Sequence, residues 1–324
     1  MNYRTLGKTG IKVSEIGFGG WAIGGNWGPQ NDKDSIEALH TAIDKGVNFI
    51  DTAEGYGNGK SEKIIAEILK TRKEEVIVAT KMPPLKGAWP PSPYCNIEER
   101  YPETYIRKNI EQRLSNLNTD CIDVLQLHTW TRAWNNNPTA LEVLQELKKE
   151  GKIRAIGIST PEQDQNSVID LMRKGYVDVI QVIYNIFEQE PAAEILPVAK
   201  ECNVGVIVRV AFDEGVLTGK YKANSKFDEG DFRNNYFEGD RLARAVARVE
   251  KIKEEIKGTN LTMPQLALKF PLSHEAVSTV IPGIRNNKQA IANTAVSDLN
   301  NLSEDLLNRL QKYNWLRGVW YSGK

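Results

Sequence analysis

Four short apolar segments indicate the fold of this chain: IDVLQL (122–127), IRAIGI (153–158), VIQVI (179–183) and VGVIV (204–208). They are rich in β-branched residues and mostly continuous rather than alternating in polarity, which is typical of parallel strands covered on both faces. Amphipathic stretches that begin near a proline separate them, at 138–150, 161–174 and 191–202,. Parallel neighbours need helical crossovers, so this part of the chain predicts repeated βα units.

The same alternation of apolar runs and amphipathic stretches extends toward both ends of the sequence. Four further apolar runs lie at 15–18, 47–50, 76–79 and 277–281. Further helical patterns lie at 34–45, 61–69, 102–116, 240–257, 287–296 and 303–312. Residues 3–6 and 11–13 flank the turn sequence Gly7-Lys8-Thr9-Gly10 and predict a β-hairpin,. We therefore expect an α/β fold, a (β/α)8 TIM barrel with an N-terminal β-hairpin and extra C-terminal helices, formed as one domain by residues 1–324; an open doubly wound sheet is the alternative.

Composition and charge exclude several classes of partner. The 324 residues include 42 Lys and Arg and 42 Asp and Glu, a formal net charge of +0, so neither nucleic acid nor an anionic membrane is expected to bind,. Cys95, Cys121 and Cys202 are far apart in sequence, so we expect neither a disulfide framework nor a metal site,. The N-terminus lacks a signal-peptide pattern, which together with the few cysteines favours a cytoplasmic protein. The sequence leaves the oligomeric state open.

Polar residues follow three consecutive predicted strands. Asp51 ends the second strand, Lys81 the third and His128 the fourth, and Tyr56 lies five residues after Asp51. In a (β/α)8 barrel the carboxyl ends of the strands meet at the rim that carries the active site. An ammonium beside a tyrosine stabilises the phenolate and lowers its pKa, so Lys81, held by Asp51, could make Tyr56 an effective acid. A neighbouring histidine would orient a carbonyl oxygen, and the group therefore predicts proton transfer during carbonyl reduction.

These residues resemble the motifs of the aldo-keto reductase superfamily, and the resemblance covers nearly the whole chain. The matching segments are LGKTG (6–10), DTAEGYG (51–57), Lys81, LH (127–128), GKIRAIGIS (151–159), Gln181, YN (184–185), GVLTGK (215–220) and IPG (281–283). The resemblance implies an NADP(H)-dependent oxidoreductase that reversibly reduces an aldehyde or ketone to an alcohol. It also implies a catalytic tetrad of Asp51, Tyr56, Lys81 and His128, with Tyr56 as the general acid in reduction and the base in oxidation.

The resemblance further implies where the cofactor binds. The candidate ligands, from the nicotinamide carboxamide to the adenine, are Ser159, Gln181, Gly283, Arg285, Gln289 and Asn293. Arg285 is the best candidate for the adenosine 2′-phosphate, with Lys288 as a second cation at the start of the same helix,. Because a guanidinium group binds phosphate through paired hydrogen bonds, NADP(H) is favoured over NAD(H).

Three positions depart from the family pattern. Arg209 stands where many relatives have an aromatic residue stacked on the nicotinamide, and it makes the surroundings of that ring cationic. Thr160 replaces an asparagine that commonly contacts the carboxamide, and Ala292 replaces a glutamate often seen beside the adenine. We therefore also expect Arg209 to contact the cofactor, and we expect looser recognition of the adenine.

Tryptophans in the loops suggest the substrate pocket. The candidates are Trp21, Trp89 and Trp130, with Trp27, Trp134, Trp315 and Trp320 as further residues at the mouth. Many aromatic faces beside polar groups suit a sugar or another hydroxylated carbonyl compound. The two long irregular stretches, 82–100 and 220–239, are further candidates for functional loops because long loops inside a domain tend to be functional.

Other interpretations differ in what the chain does with a nucleotide. One is a sugar epimerase or dehydrogenase that retains its cofactor, and another is a non-enzymatic subunit that senses the nucleotide. The segment GFGGWA (17–22) matches a dinucleotide-binding fingerprint, but Gly24, Gly25, Gly28 and Pro29 interrupt the helix that such a motif requires,. The family resemblance implies instead that the cofactor lies across the barrel rim.

Overall fold

The computed structural model describes residues 1–25 and 27–315. Its strands are β1 (Tyr3–Thr5), β2 (Lys12–Ser14), β3 (Phe18–Gly19), β4 (Phe49–Asp51), β5 (Ile77–Met82), β6 (Ile122–Leu127), β7 (Ile153–Ser159), β8 (Val179–Ile183), β9 (Gly205–Arg209) and β10 (Thr279–Val280). Strands β1 and β2 form an antiparallel hairpin. Strands β3 to β10 form one parallel sheet in chain order.

The longer helices follow the strands and cover the outer face of the sheet. The helices are α1 (Trp21–Gly24), α2 (Asp32–Asp44), α3 (Lys60–Leu69), α4 (Glu103–Leu117), α5 (Thr139–Lys149), α6 (Ile169–Arg173), α7 (Ile195–Glu201), α8 (Arg233–Tyr236), α9 (Arg241–Glu255), α10 (Met263–Leu272), α11 (Asn287–Thr294) and α12 (Glu304–Gln311). Within the described part of the chain, none of these helices is long and apolar enough to cross a membrane.

The parallel sheet closes on itself. Isolated parallel bridges pair Ile16 with Val280 and Gly19 with Gly283, and the Gly17 amide donates to the Val280 carbonyl at 2.8 Å. The first strand of the sheet is thereby joined to the last. The predicted (β/α)8 barrel, with its hairpin and additional C-terminal helices, is confirmed, and the open doubly wound sheet is excluded.

The hydrophobic core consists of two layers. The inner layer combines alternate strand residues with the hairpin: Phe49, Ile77, Ala79, Val124, Ala155, Val179, Ile207 and Ile281 from the barrel and Leu6, Ile11 and Val13 from the hairpin. A larger outer layer fills the space between the sheet and the helices. Because the hairpin covers the amino-terminal end of the barrel, the cavity of the barrel opens at the carboxyl end.

The helices differ from the sequence prediction at two places. Helix α10 was not predicted; Pro264 lies in its first turn, where its missing N–H costs nothing,. The capping box of Thr262 and Gln265 was the available signal,. The helix predicted from residue 161 instead begins as a 3₁₀ turn, since the Gln165 side chain accepts a hydrogen bond from the amide of Ile183 (2.6 Å) and donates to its carbonyl (3.1 Å).

A buried carboxylate ties the N-terminal hairpin to residues late in the chain beneath the barrel. The Glu15 side chain is 3% exposed and accepts hydrogen bonds from Arg4 (2.9 Å), Ser297 (2.9 Å) and Asn2 (3.2 Å). Lys269 lies 3.6 Å away from the same carboxylate. Burial alone would raise the pKa of Glu15, but Ser297, Lys269 and Arg4 together outweigh burial and hold the pKa below its usual value,.

We expect Glu15→Gln to lower the free energy of unfolding at neutral pH by about 3 kcal/mol, because it leaves buried cations without their anion. The folded pKa of Glu15 lies below the unfolded value near 4.5, so the carboxylate stabilises the fold above that value,. Its contribution is lost as the pH falls through the folded pKa, and the variant should then approach the wild type. Urea titrations across this range measure the difference, with Glu75→Gln at an exposed position as the control. Equal stability at neutral pH would contradict the prediction.

Candidate active site

Alternate residues of each barrel strand point into the barrel, and near the carboxyl ends of several strands these inward residues are polar. Each of these side chains lies two residues beyond an inward-facing apolar residue of its own strand: Asp51 after Phe49, Lys81 after Ala79, Gln126 after Val124, Gln181 after Val179 and Arg209 after Ile207. Successive residues of a strand point to opposite faces, so these five also point inward. The floor of the site is therefore polar, and it lies directly above the apolar inner layer.

Lys81 is the buried centre of a hydrogen-bond group. Its side chain is 0% exposed, and its Nζ donates to Asp51 Oδ2 (2.6 Å), to the Thr52 carbonyl (2.9 Å) and to Tyr56 Oη (3.1 Å). The three acceptors use the three donors of the ammonium group. Tyr56 and Lys81 are thus held together by the carboxylate that balances the lysine charge.

Two amide side chains complete the environment of Asp51. Gln181 Nε2 donates to Asp51 Oδ1 at 2.7 Å, and Gln126 Nε2 donates to the same oxygen at 3.3 Å. Gly157 leaves room for this arrangement, since a Cβ there would lie 2.8 Å from Gln126 Cγ. Gln126 was not predicted as a site residue, although its inward position two residues before His128 was an available signal.

Close backbone contacts hold the loop that carries Tyr56. A Cβ on Gly24 would lie 2.6 Å from the backbone of Tyr56, so only glycine permits α1 to approach this loop,. On the other side, the Glu54 carboxylate binds Arg113 and accepts a hydrogen bond from Asn109 at 2.7 Å. Arg113 also binds the buried Glu62. The tyrosine loop is therefore fixed from both sides.

Burial raises the pKa of Tyr56, and the neighbouring charge of Lys81 lowers it only in part,. This differs from the expectation that Lys81 would bring the pKa below that of a free tyrosine. Burial alone would lower the pKa of Lys81, but Asp51 and Tyr56 outweigh burial and raise it. The phenol therefore keeps its proton and the lysine its charge at neutral pH, which suits Tyr56 as a proton donor.

His128 lies beside Tyr56 at the edge of the cavity. Its ring is 6.2 Å from that of Tyr56 and 5.6 Å from that of Trp89, both in edge-to-face geometry. Burial, and then the charges of Lys81 and Arg209, hold the pKa of His128 well below its usual value,. The imidazole is therefore neutral at physiological pH and can donate a hydrogen bond without carrying a charge.

Above these residues opens a cavity of about 800 Å³. Asp51, Tyr56, His128, Ser159 and Gln181 line its floor. Trp21 and Trp89, two of the candidate substrate-pocket residues, line its mouth, and so does Trp27. Trp89 is 60% exposed and thus presents its ring to an incoming ligand.

The assignment of Trp130 to the substrate pocket was wrong. Its side chain is 0% exposed, its ring packs against that of Trp134 at 5.3 Å, and its Nε1 donates to Asn135 Oδ1 at 2.7 Å. Trp134 is buried beside it, and Trp315 packs against Phe187. These three rings stabilise the outer core instead of lining the mouth. Trp320 lies outside the described residues.

The irregular stretch 220–239 forms a wall of the cavity. The wall residues are Lys220, Tyr221, Phe232, Arg233 and Tyr236. Phe232 packs on Trp21 with 5.2 Å between ring centroids, and the Arg233 guanidinium lies 4.7 Å from the ring centre of Trp27,. The sequence suggested a functional loop here but gave no reason to choose these residues, apart from the unusual density of aromatic side chains.

One end of the cavity is lined by cationic side chains. Arg285, Lys288, Gln289 and Asn293 all line it. Arg285 donates through Nε to Gln30 Oε1 at 2.8 Å, and its backbone amide donates to Gln289 Oε1 at 2.8 Å. Partial burial, Arg233 and Arg285 lower the pKa of Lys220, so these cations act on one another. Such a group of cations suits a ligand with several negative charges.

Two features of the cavity wall leave a polar atom and space open to a ligand. Gln181 Oε1 is buried without a hydrogen-bond partner among the described residues, although the Nε2 of the same side chain is bound to Asp51. A Cβ on Gly283 would meet nothing within 4 Å, so the backbone there faces open space. A carboxamide N–H would satisfy Gln181, and a phosphate could approach the chain closely at Gly283. Thr160, by contrast, donates its hydroxyl to the Gln181 carbonyl (3.0 Å).

Arg209 enters the cavity from the end of β9. Its Nη2 donates to the Thr160 carbonyl at 3.2 Å, and its Nη1 lies 3.3 Å from Glu162 Oε1. The next residue, Val210, has a φ of 58°, which is a strained conformation for a β-branched residue,. Asn185 Nδ2 binds the Val210 carbonyl at 2.9 Å and holds this turn. The backbone thus fixes the direction in which Arg209 leaves the barrel.

A closed parallel barrel with a phenol, an ammonium and an imidazole at its carboxyl-end cavity is the architecture of one class of oxidoreductases acting on carbonyl compounds. Residues 15–314 match the model of the Aldo/keto reductase family, and the chain belongs to that family.

Relatives of this family align along nearly the whole chain. The aldo-keto reductase YhdN of Bacillus subtilis is 32% identical over 313 residues, which cover 94% of this chain and 91% of the relative. The NADH-specific methylglyoxal reductase of Escherichia coli is 30% identical over 317 residues, covering 91% of this chain and 93% of the relative. The structure of a glycerol dehydrogenase from Gluconobacter oxydans superposes with a TM-score of 0.78 at 25% identity, covering 96% of this chain and 94% of that protein.

Proposed function

We propose that this protein is an NADP(H)-dependent oxidoreductase that reversibly reduces an aldehyde or ketone to an alcohol. The observation that carries the proposal is the position of Tyr56 Oη, 3.1 Å from a buried lysine ammonium that is itself fixed by Asp51. Tyr56 also lines the large cavity beside His128. A proton donor and a stabilising cation thus meet where a small ligand can enter.

The cofactor would bind across the rim of the barrel. Ser159 and the unpartnered Gln181 Oε1 would hold the nicotinamide carboxamide, and Gly283 would allow the phosphates to approach the backbone. Arg285 would face the 2′-phosphate, with Lys288 nearby, while Gln289 and Asn293 would contact the adenosine side. A 2′-phosphate matches this cationic end better than a free ribose hydroxyl does, so we propose NADP(H) over NAD(H).

The residues of this chain would supply the proton and orient the substrate. When bound, the cofactor supplies or accepts the hydride at the substrate carbon. Tyr56 donates its proton to the carbonyl oxygen, and Lys81 stabilises the phenolate that remains. His128, neutral at physiological pH, donates a hydrogen bond to the same oxygen and positions it. In alcohol oxidation the Tyr56 phenolate takes the proton back.

We further propose a hydroxylated, sugar-like carbonyl compound as the substrate. Trp21, Trp27 and Trp89 offer aromatic faces at the mouth, and Trp27 Nε1 is a donor without a hydrogen-bond partner among the described residues. An apolar ring face beside an unsatisfied donor suits a ligand that carries both C–H faces and hydroxyl groups. The structurally similar glycerol dehydrogenase is named for a small polyhydroxylated compound, which agrees with this proposal.

A panel of substrates tests the function and the cofactor together. We expect steady consumption of NADPH with nitrobenzaldehyde, turnover at least about tenfold better with NADPH than with NADH, and better turnover of ketosugars than of short aliphatic aldehydes. Absorbance at the nicotinamide band measures all three rates, and the alcohols with NADP measure the reverse reaction.

Each result of the panel has a separate meaning. Equal rates with NADH would reject the proposed role of Arg285, and preference for short aliphatic aldehydes would reject a sugar-like substrate. Nucleotide retained through purification, without net loss of NADPH, would favour the epimerase alternative. Binding of nucleotide with no turnover of any compound would favour the nucleotide-sensing alternative.

A further inference from the structure

Arg209 and Glu162 form a charged pair at the wall of the cavity. The two atoms of the pair are 3.3 Å apart, and the side chains are 21% and 33% exposed, respectively. Arg209 Nε is buried and has no hydrogen-bond partner among the described residues. Both residues line the same cavity as Tyr56 and Gln181. The pair therefore belongs to the ligand-binding space, unlike the ion pairs on the outer helices.

The strand register places Arg209 near the proposed nicotinamide position. Ile207 of β9 pairs with Gln181 of β8, and Arg209 pairs with Ile183, two residues further toward the carboxyl end. Arg209 therefore stands above the level of Gln181 on the adjacent strand. A ring whose carboxamide reaches Gln181 Oε1 and whose reactive carbon faces Tyr56 must lie within reach of both Gln181 and Arg209. The charge of Arg209 also acts on the pKa values of Tyr56 and His128, so its field extends across this space.

The two redox states of a nicotinamide differ in charge. The oxidised ring carries one positive charge, whereas the reduced ring is neutral. A fixed cation nearby disfavours only the oxidised ring, and a fixed anion favours only the oxidised ring. Arg209 and Glu162 must then act in opposite directions on the same equilibrium.

We infer that the Arg209–Glu162 pair sets the relative affinity of this site for the reduced and the oxidised coenzyme. Arg209 strengthens the preference for the reduced form, and Glu162 moderates that preference. This inference rests on the proposed function, because it requires a nicotinamide coenzyme in the cavity. It assigns to two residues a control over the redox equilibrium of the bound coenzyme that is separate from proton transfer by Tyr56.

The expected size of the effect follows from the distance between charges. One unit charge several ångströms away in a partly solvated site changes a binding constant by about tenfold or more, and removing either member of the pair exposes the effect of that charge alone. Arg209→Gln removes the cation and leaves Glu162, so the ratio of the NADP dissociation constant to the NADPH dissociation constant should fall about tenfold. Glu162→Gln removes the anion, so the same ratio should rise about three- to tenfold.

Dissociation constants of NADPH and NADP for the full chain test this inference by tryptophan fluorescence or calorimetry, with no substrate present. The matched control is Arg132→Gln, which removes the arginine of an exposed pair with Asp164 and should leave the ratio unchanged. A double variant, Arg209→Gln with Glu162→Gln, should return the ratio toward that of the wild type. Thermal melting of each variant verifies that it is folded.

Arg209→Gln and Glu162→Gln should shift the ratio of the two dissociation constants in opposite directions. This distinguishes a charge effect from local disruption of the site. Disruption of the site would weaken both nucleotides in both variants, and a ratio that stays constant or shifts in the same direction in the two variants would overturn the inference. The proposed function would survive that result. If the wild-type protein bound neither NADPH, NADP, NADH nor NAD, the proposed function would fail and the inference with it.

Discussion

Tyr56→Phe is expected to lower the turnover of a carbonyl substrate by about 10³-fold while the dissociation constant of the nucleotide stays within about twofold of the wild-type value. The substitution removes one hydroxyl group and keeps the ring, which packs on Trp21 with 6.2 Å between ring centroids. Lys81 would keep its bonds to Asp51 and Thr52, so the fold around it should persist. Single-turnover kinetics with NADPH and an aromatic aldehyde measure the loss in the chemical step.

Tyr105→Phe is the matched control for this experiment. It makes the same change at a hydroxyl group that donates to the Pro83 carbonyl at 2.7 Å and does not line the cavity. Turnover in this variant should be close to that of the wild type. Near-wild-type turnover in Tyr56→Phe would show that another group donates the proton.

The pKa directions add a dependence on pH to the role of Tyr56. Burial raises the pKa of Tyr56, so the phenol remains protonated across the neutral range,. Reduction, which needs the proton, should therefore keep its rate as the pH rises through neutrality. Alcohol oxidation, which needs the phenolate, should accelerate with pH over the same range.

The fold could be predicted from the sequence because its signals repeat. Eight apolar runs alternated with amphipathic segments, and their number favoured a barrel over an open sheet. The predicted ends of the helices were less accurate where a side chain forms a hydrogen bond with a residue distant in sequence. Ser61, expected to begin a helix, instead donates its hydroxyl to the Gly20 carbonyl (3.0 Å), and α3 begins one residue earlier after Gly59. A local pattern cannot reveal such a partner, because it lies far away in sequence.

The floor and the walls of the site differed in how well the sequence predicted them. Asp51 and Lys81 lie at the carboxyl ends of their strands and His128 directly follows one, so the barrel geometry alone brings them to one end,. Trp130 shows the limit of that reasoning, since a residue two positions after His128 turns into the outer core. Phe232 and Arg233 come from a long loop without periodicity, and only tertiary packing decides which of its residues face the cavity.

Lys81→Met is expected to abolish turnover, with a loss of at least about 10³-fold, and to lower the free energy of unfolding by about 3–5 kcal/mol. The methionine fills similar volume, but it leaves the Asp51 carboxylate buried without its cation at 2% exposure. Gln126 and Gln181 would still donate to Oδ1, whereas Oδ2 would lose its 2.6 Å partner. Chemical denaturation and turnover, measured on the same preparation, separate the loss of stability from the loss of activity.

The double variant Asp51→Asn with Lys81→Met decides why the single variant fails. Replacing the carboxylate with an amide removes the unpaired charge, so most of the lost stability should return, because a buried ion pair contributes little net stability once both charges are gone. Activity should not return, since no ammonium would remain to stabilise the Tyr56 phenolate. If activity returned along with stability, the lysine would serve only to neutralise Asp51. If stability returned without activity, Lys81 would have to act on Tyr56 itself. The double variant would then be folded like the wild type but would lack the cation beside the phenol.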